Sequence, residues 1–135
     1  MNDELMSQEV NTPVVRPGAA GAAFDQQGFV KRMMGDERLA QRIVHAFMDD
    51  MPRQLILLAQ ALSNTDAKAL RIAAHTIKGA AATVGGLEIQ EEARKVEQSA
   101  TAGDLTAAEA ALPELVASVT RAKPIMERFY RDQSD

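Results

Sequence analysis

Between Leu39 and Leu62, apolar residues return every three or four positions: Leu39, Ile43, Phe47, Met51, Leu55, Leu58 and Leu62. At about 100° per residue this spacing gathers them on one side of an α-helix. Pro52 interrupts the backbone bonding within the stripe and predicts a kink there, although the pattern continues beyond it. A seam this long needs further helices to cover it, and the chain supplies them. Leu70, Ala73, Ala74, Ile77, Ala81 and Val84 form a second stripe. It is opened by the turn and cap Ser63-Asn64-Thr65-Asp66 and closed by Gly85-Gly86, either of which can take the left-handed conformation. A third helix turns Ile89, Val96 and Ala100 inward, with Gln90, Arg94 and Glu97 along one flank, and ends at Gly103-Asp104. A fourth, from about Leu105 to Arg131, offers Leu112, Leu115, Val119, Met126 and Phe129 for burial. Pro113 and Pro124 are places where it could bend or divide.

Ahead of these, Asp25 caps a short helix carrying Phe29, Val30 and Met33 that stops near Gly35. Four long amphipathic segments with short connections predict an all-α fold. The expected architecture is an antiparallel up-down-up-down four-helix bundle with a short extra N-terminal helix, over residues 24–132. Met33, Met34, Met48, Met51 and Met126 read as core or near-core packing. Residues 1–23 hold no sustained period and contain Pro13, Pro17, Gly18 and Gly21, the pattern of a disordered leader or linker.

The second stripe carries a feature that packing does not explain. His75 points away from the apolar face, Gly79 follows one turn on, and Lys78 stands on the flank between them and the core. Lys68, Arg71, Ile72 and Ala82 share the histidine's side. A glycine within a helix costs about 1 kcal/mol relative to alanine. Access supplies a reason for Gly79, since a missing Cβ lets another protein's loop approach His75. Ile72, β-branched and facing water, fits a docking patch around the ring. An imidazole with an ordinary pKa near 6.5 is mostly neutral at pH 7 and keeps one nucleophilic lone pair. No acid lies within a helical turn of His75, and Lys68, Arg71 and Lys78 all disfavour its protonation. If the second and third helices pack antiparallel, Glu97 or Gln90 could hydrogen-bond the other ring nitrogen and fix the tautomer. His45, opposite the Leu39-Phe47-Met51 stripe and without special neighbours, is expected to be inert.

The run His75-Thr76-Ile77-Lys78-Gly79, closed by Gly85, resembles the signature of histidine-containing phosphotransfer (HPt) domains, which carry phosphoryl groups between receiver-domain aspartates. The similarity extends from Phe24-Asp25 through Met34-Gly35-Asp36-Glu37 to about Tyr130. The resemblance implies that His75 accepts a phosphoryl group from a receiver aspartate and passes it to another receiver. Lys78 would neutralise phosphoryl charge, Gly79 would give steric access, and Lys68, Arg71, Ile72, Ala82, Gln90 and Glu97 would form the docking surface. The implied partners are response-regulator receiver domains and a hybrid sensor histidine kinase. No cofactor of its own is implied, Mg²⁺ being expected on the receiver. The domain is then a phosphocarrier rather than a self-sufficient enzyme.

Composition narrows the field. A formal charge of −4 argues against general nucleic-acid binding. The absence of cysteine excludes disulfides and thiolate metal sites and fits a cytoplasmic address. No run of eighteen apolar residues is present, so no membrane span is expected, and a monomer is expected. Three other readings remain. The phosphoacceptor module of a chemotaxis-type histidine kinase has a similar His-x-x-Lys-Gly run but takes its phosphate from ATP through a kinase domain. The dimerisation region of a sensor kinase usually has an acid directly after the histidine, where this chain has Thr76. A bundle that docks on a receiver without accepting phosphate is the third.

Overall fold

The computed structural model describes residues 22–131. Five helices follow in order: α1 (Gln26–Arg32), α2 (Glu37–Ser63), α3 (Ala67–Val84), α4 (Leu87–Thr101) and α5 (Leu105–Arg131). The first three starts are written locally. The carboxylates of Asp25, Asp36 and Asp66 accept hydrogen bonds from the backbone N–H three residues on, at 3.1, 3.0 and 3.0 Å, satisfying donors that have no partner within the helix.

The four long helices close a ring in which α3 packs on α2 and α4, and α5 on α4 and α2. Connections this short force neighbours to run in opposite directions. The ends agree: the buried Gln41, near the start of α2, donates from Nε2 to the carbonyl of Phe129 near the end of α5, at 3.0 Å. Leu58, Leu70, Ile77, Ile89, Leu115 and Met126 are fully enclosed at the centre. An all-α bundle with an extra N-terminal helix forms, as expected, and none of its helices is long and apolar enough to cross a membrane.

Three details refine the expectation. α2 passes Pro52 and α5 passes Pro113 and Pro124 as single helices, so α5 is not divided. All three prolines stand at exposed positions, where a carbonyl deprived of its N–H partner can turn to water. Met34 is not near-core: it is 94% exposed with φ +58°, half of the left-handed Met34-Gly35 turn that separates α1 from α2. Contacts also reach just ahead of Phe24. The leader's residues 1–21 lie outside the described residues, but the Ala22 carbonyl accepts the Glu88 N–H at 2.8 Å, tying it to the start of α4.

The α3–α4 turn is the tightest joint. Gly85 has φ +81°, and a Cβ there would lie 2.9 Å from the backbone oxygen of Asp25, whose own N–H donates to the Gly85 carbonyl at 2.8 Å. Gly85→Ala combines left-handed strain with a backbone clash and is expected to destabilise the fold by about 2 kcal/mol. A lowered denaturant midpoint at unchanged slope measures it.

Candidate functional site

Helix α3 is held along one face and at both ends. Leu70, Ala74, Ile77 and Ala81 are fully buried and Val84 nearly so. Asp66 caps its start and the left-handed Gly85 its end. Arg32 of α1 donates to the carbonyl of Thr83 at 3.2 Å, placing a cation where the helix presents unpaired acceptors. The opposite face of this anchored rod carries His75, whose side chain is 64% exposed.

One turn beyond, a Cβ built on Gly79 meets nothing within 4 Å. Nothing inside the protein therefore requires glycine there, unlike Gly85, and the side chain is missing only from the space above the helix beside the ring. Thr83 turns its hydroxyl back onto the Gly79 carbonyl at 3.1 Å. The bare patch is thus smooth backbone with its acceptor already engaged.

The ring is not surrounded by cations alone. Glu97 reaches across from α4 and places Oε2 2.9 Å from Nδ1 of His75, while its Oε1 lies 2.7 Å from Nζ of Lys78. No acid lies within a helical turn of His75 in sequence; this one comes from another helix, 22 residues away. One carboxylate bridges the two residues of the motif. With Nδ1–H donating to a carboxylate, the free lone pair belongs to Nε2, on the water-facing side.

The Lys78 ammonium holds the Glu97 carboxyl below the usual carboxylate range; partial burial opposes this, and the bond to His75 adds to it. Glu97 therefore stays ionised at neutral pH and accepts a hydrogen bond rather than a proton. Because its pKa is lower folded than unfolded, its stabilising share is complete above the unfolded value and is lost as pH falls through the folded one.

The remaining sequence candidates divide. Lys68 and Ile72 are exposed on the histidine's face, Ile72 at 49%, while Arg71 and Ala82 are half-buried toward α4. Of the two polar residues weighed for Nδ1, Glu97 makes the contact. Gln90 sits about 10 Å further along α4, beyond reach of the ring.

Sequence reasoning missed a groove on the other side of α3. Ile43, Phe47 and Met51 of α2 face Thr76, Ala80 and Val84 of α3 across about 390 Å³. Ile72, one turn before Thr76, extends this apolar strip. The stripe on α2 is simply wider than the core needs. His45 also has neighbours after all: its ring stacks on Tyr130 at 4.4 Å, and Nε2 lies 3.5 Å from Asp49. Among the described residues, Asp49 makes no second ion pair with a lysine, as Glu97 does.

Among the described residues, no group of three or more His, Cys, Asp or Glu side chains is placed to hold a metal ion. The arrangement offers one exposed nucleophilic nitrogen, a carboxylate fixing its tautomer, an ammonium within reach of an incoming anion, and open space beside them.

The Hpt domain family model matches residues 42–123. Among solved structures, the fold is similar to histidine-containing phosphotransfer protein B (HptB) from Pseudomonas aeruginosa PAO1. The TM-score is 0.77 and the identity 22%, covering 84% of this chain and 98% of that one. A search of curated proteins gives no match.

Proposed function

The chain belongs to the Hpt domain family, the phosphotransfer modules of phosphorelays, and from that premise we propose that it is a relay intermediate between receiver domains. His75 takes a phosphoryl group from the aspartyl phosphate of one receiver, itself charged by a hybrid sensor histidine kinase, and yields it to the aspartate of another in the cytoplasm. The observation that carries this reading is the exposed ring with Nδ1 engaged by Glu97, Nε2 open, and unfilled space above Gly79.

In the forward step the Nε2 lone pair forms the N–P bond as the P–O bond of the acyl phosphate breaks, its electrons leaving on the receiver's carboxylate. The ring, still carrying Nδ1–H, becomes positive, and the ionised Glu97 offsets that charge. Onward transfer reverses the electron flow: the N–P bond breaks, its pair returns to Nε2, and an oxygen of the second aspartate bonds to phosphorus. Phosphoryl transfer needs chiefly positioning and charge neutralisation. Lys78, three residues from His75, is near enough to share its ammonium between Glu97 and a phosphoryl oxygen. Mg²⁺ is assigned to the receiver, which approaches over Ile72, Gly79 and the α2–α3 groove, with Lys68, Arg71, Ala82 and Gln90 at the margins.

The test offers the chain two donors: a receiver carrying labelled aspartyl phosphate, and ATP with a histidine-kinase catalytic domain. Label should move to the chain from the receiver. Label acquired only from ATP through the kinase domain would support the chemotaxis-type module instead. Lys78→Ala is expected to slow transfer about tenfold, or to change the phosphohistidine lifetime, with a stability change under about 1 kcal/mol. Rapid-quench kinetics and a denaturant titration measure the two, and unaltered kinetics and lifetime would remove Lys78 from the site.

A further inference from the structure

Across the bundle from the α3–α4 seam that holds His75 lies the seam between α2 and α5, which holds two clefts. One cleft of about 530 Å³ lies between Pro52 and Leu55 of α2 and Val119 and Lys123 of α5. A second, also about 530 Å³, lies between Ala59 and Leu62 of α2 and Glu109 and Leu112 of α5. Between the two clefts, a large apolar side chain stands on each rim. Ile56, four residues after Pro52 and three before Ala59, is 57% exposed. Val116, four after Leu112 and three before Val119, is 42% exposed.

The charges on α5 indicate what could cover this strip. Glu109 and Lys123 lie seven residues to either side of Val116, two turns each way on the same face. Both are exposed, and among the described residues neither has an ion-pair partner. An acid and a base placed evenly about an apolar centre become complementary to themselves after a half-turn, the condition a two-fold contact requires.

We propose that the α2–α5 face binds a second copy of this chain. The two α5 helices cross antiparallel with the two-fold axis near Val116. Glu109 of each protomer then meets the partner's Lys123, while Ile56 and Val116 bury against the partner's strip. The chain's own residues 1–21 suit the strip less well. They carry Asp3, Glu4 and Glu9 against Arg16, and the seam would set these acids beside Asp49, Glu109 and Glu127, with Lys123 as the one base lining the two clefts. A contact about 20 Å long on two helices is at the small end of stable interfaces, so association is expected near about 100 μM. Both copies of His75 remain on outward faces, open to receivers.

Sedimentation of the full chain from about 10 μM to about 1 mM tests this, with the mass expected to rise from 14.6 kDa toward twice that value. Lys123→Glu and Glu109→Lys should each weaken association about tenfold, and the double exchange should restore it. Circular dichroism and phosphotransfer to His75 should be unchanged in all three variants. A chain that stays monomeric at about 1 mM overturns the proposal, as does a double exchange no better than the single ones. A monomer in which Ile56 and Val116 are shielded from solvent would assign the strip to the chain's own N-terminal segment and overturn it as well. Phosphotransfer is read separately, so failure here leaves the relay reading standing.

Discussion

His75→Gln is expected to reduce phosphoryl acceptance to background while leaving the bundle folded. Glutamine is close in length, and its amide N–H groups can still donate to Glu97, so the carboxylate and Lys78 keep a partner. What the amide lacks is a nucleophilic lone pair, because its nitrogen electrons are delocalised into the carbonyl. No other part of the site can take over that role. The side chain is 64% exposed and outside the core, so stability should change by less than about 1 kcal/mol. His45→Gln is the matched control, and it should accept label like the parent chain. The same variant separates a carrier from a bundle that only occupies a receiver. A carrier lacking His75 should still bind the receiver but accept nothing, whereas a blocker would inhibit undiminished. Acid-labile phosphate on the His75→Gln chain would sink the assignment.

What the sequence made legible follows the range of each interaction. Asp25, Asp36, Asp66 and Gly85 act on backbone within a few residues of themselves, so the helix boundaries could be read from the residues alone. The inward faces followed from period, because Leu70, Ala74, Ile77 and Ala81 lie on one side whatever they pack against. Glu97 was only half visible. Its flank was readable, but choosing it over Gln90 needs the register between α3 and α4, which Gly85-Gly86 sets through a turn whose geometry involves Asp25. The α2–α3 groove was hidden for a related reason. Ile43, Phe47 and Met51 share a stripe with deeper residues such as Leu58, and periodicity alone does not grade burial within a stripe. Prolines left bending and division open because their effect depends on where the lost bond falls, and all three stand at exposed positions. Tyr130, which stacks on His45, belongs to the far end of the chain, and no local pattern couples the two.

Gly79→Gln should separate stability from function more sharply than any other change in the helix. Position 79 is exposed, its backbone is ordinary right-handed helix, and a Cβ there meets nothing within 4 Å. For the isolated chain, glycine is therefore a liability, and glutamine, a good helix former, should raise stability by about 0.5–1 kcal/mol. The same side chain would stand one turn from His75, on the side where a receiver must bring its aspartate within about 3–3.5 Å of Nε2 in line with the breaking bond. A displacement of about 1 Å from that geometry is enough to cost about 100-fold in rate, and a glutamine side chain is several times longer than that. Transfer is thus expected to fall about 100-fold or more while the thermal midpoint rises by a few degrees. Gly79→Ala, adding one methyl group, should lie between, with most of the stability gain and a smaller loss of rate. Stopped transfer assays with a labelled receiver, run beside thermal melts of the same preparations, measure both quantities. Transfer undiminished in the glutamine variant would mean that the approach does not pass over position 79, and the docking geometry drawn around Ile72 and the α2–α3 groove would have to be abandoned.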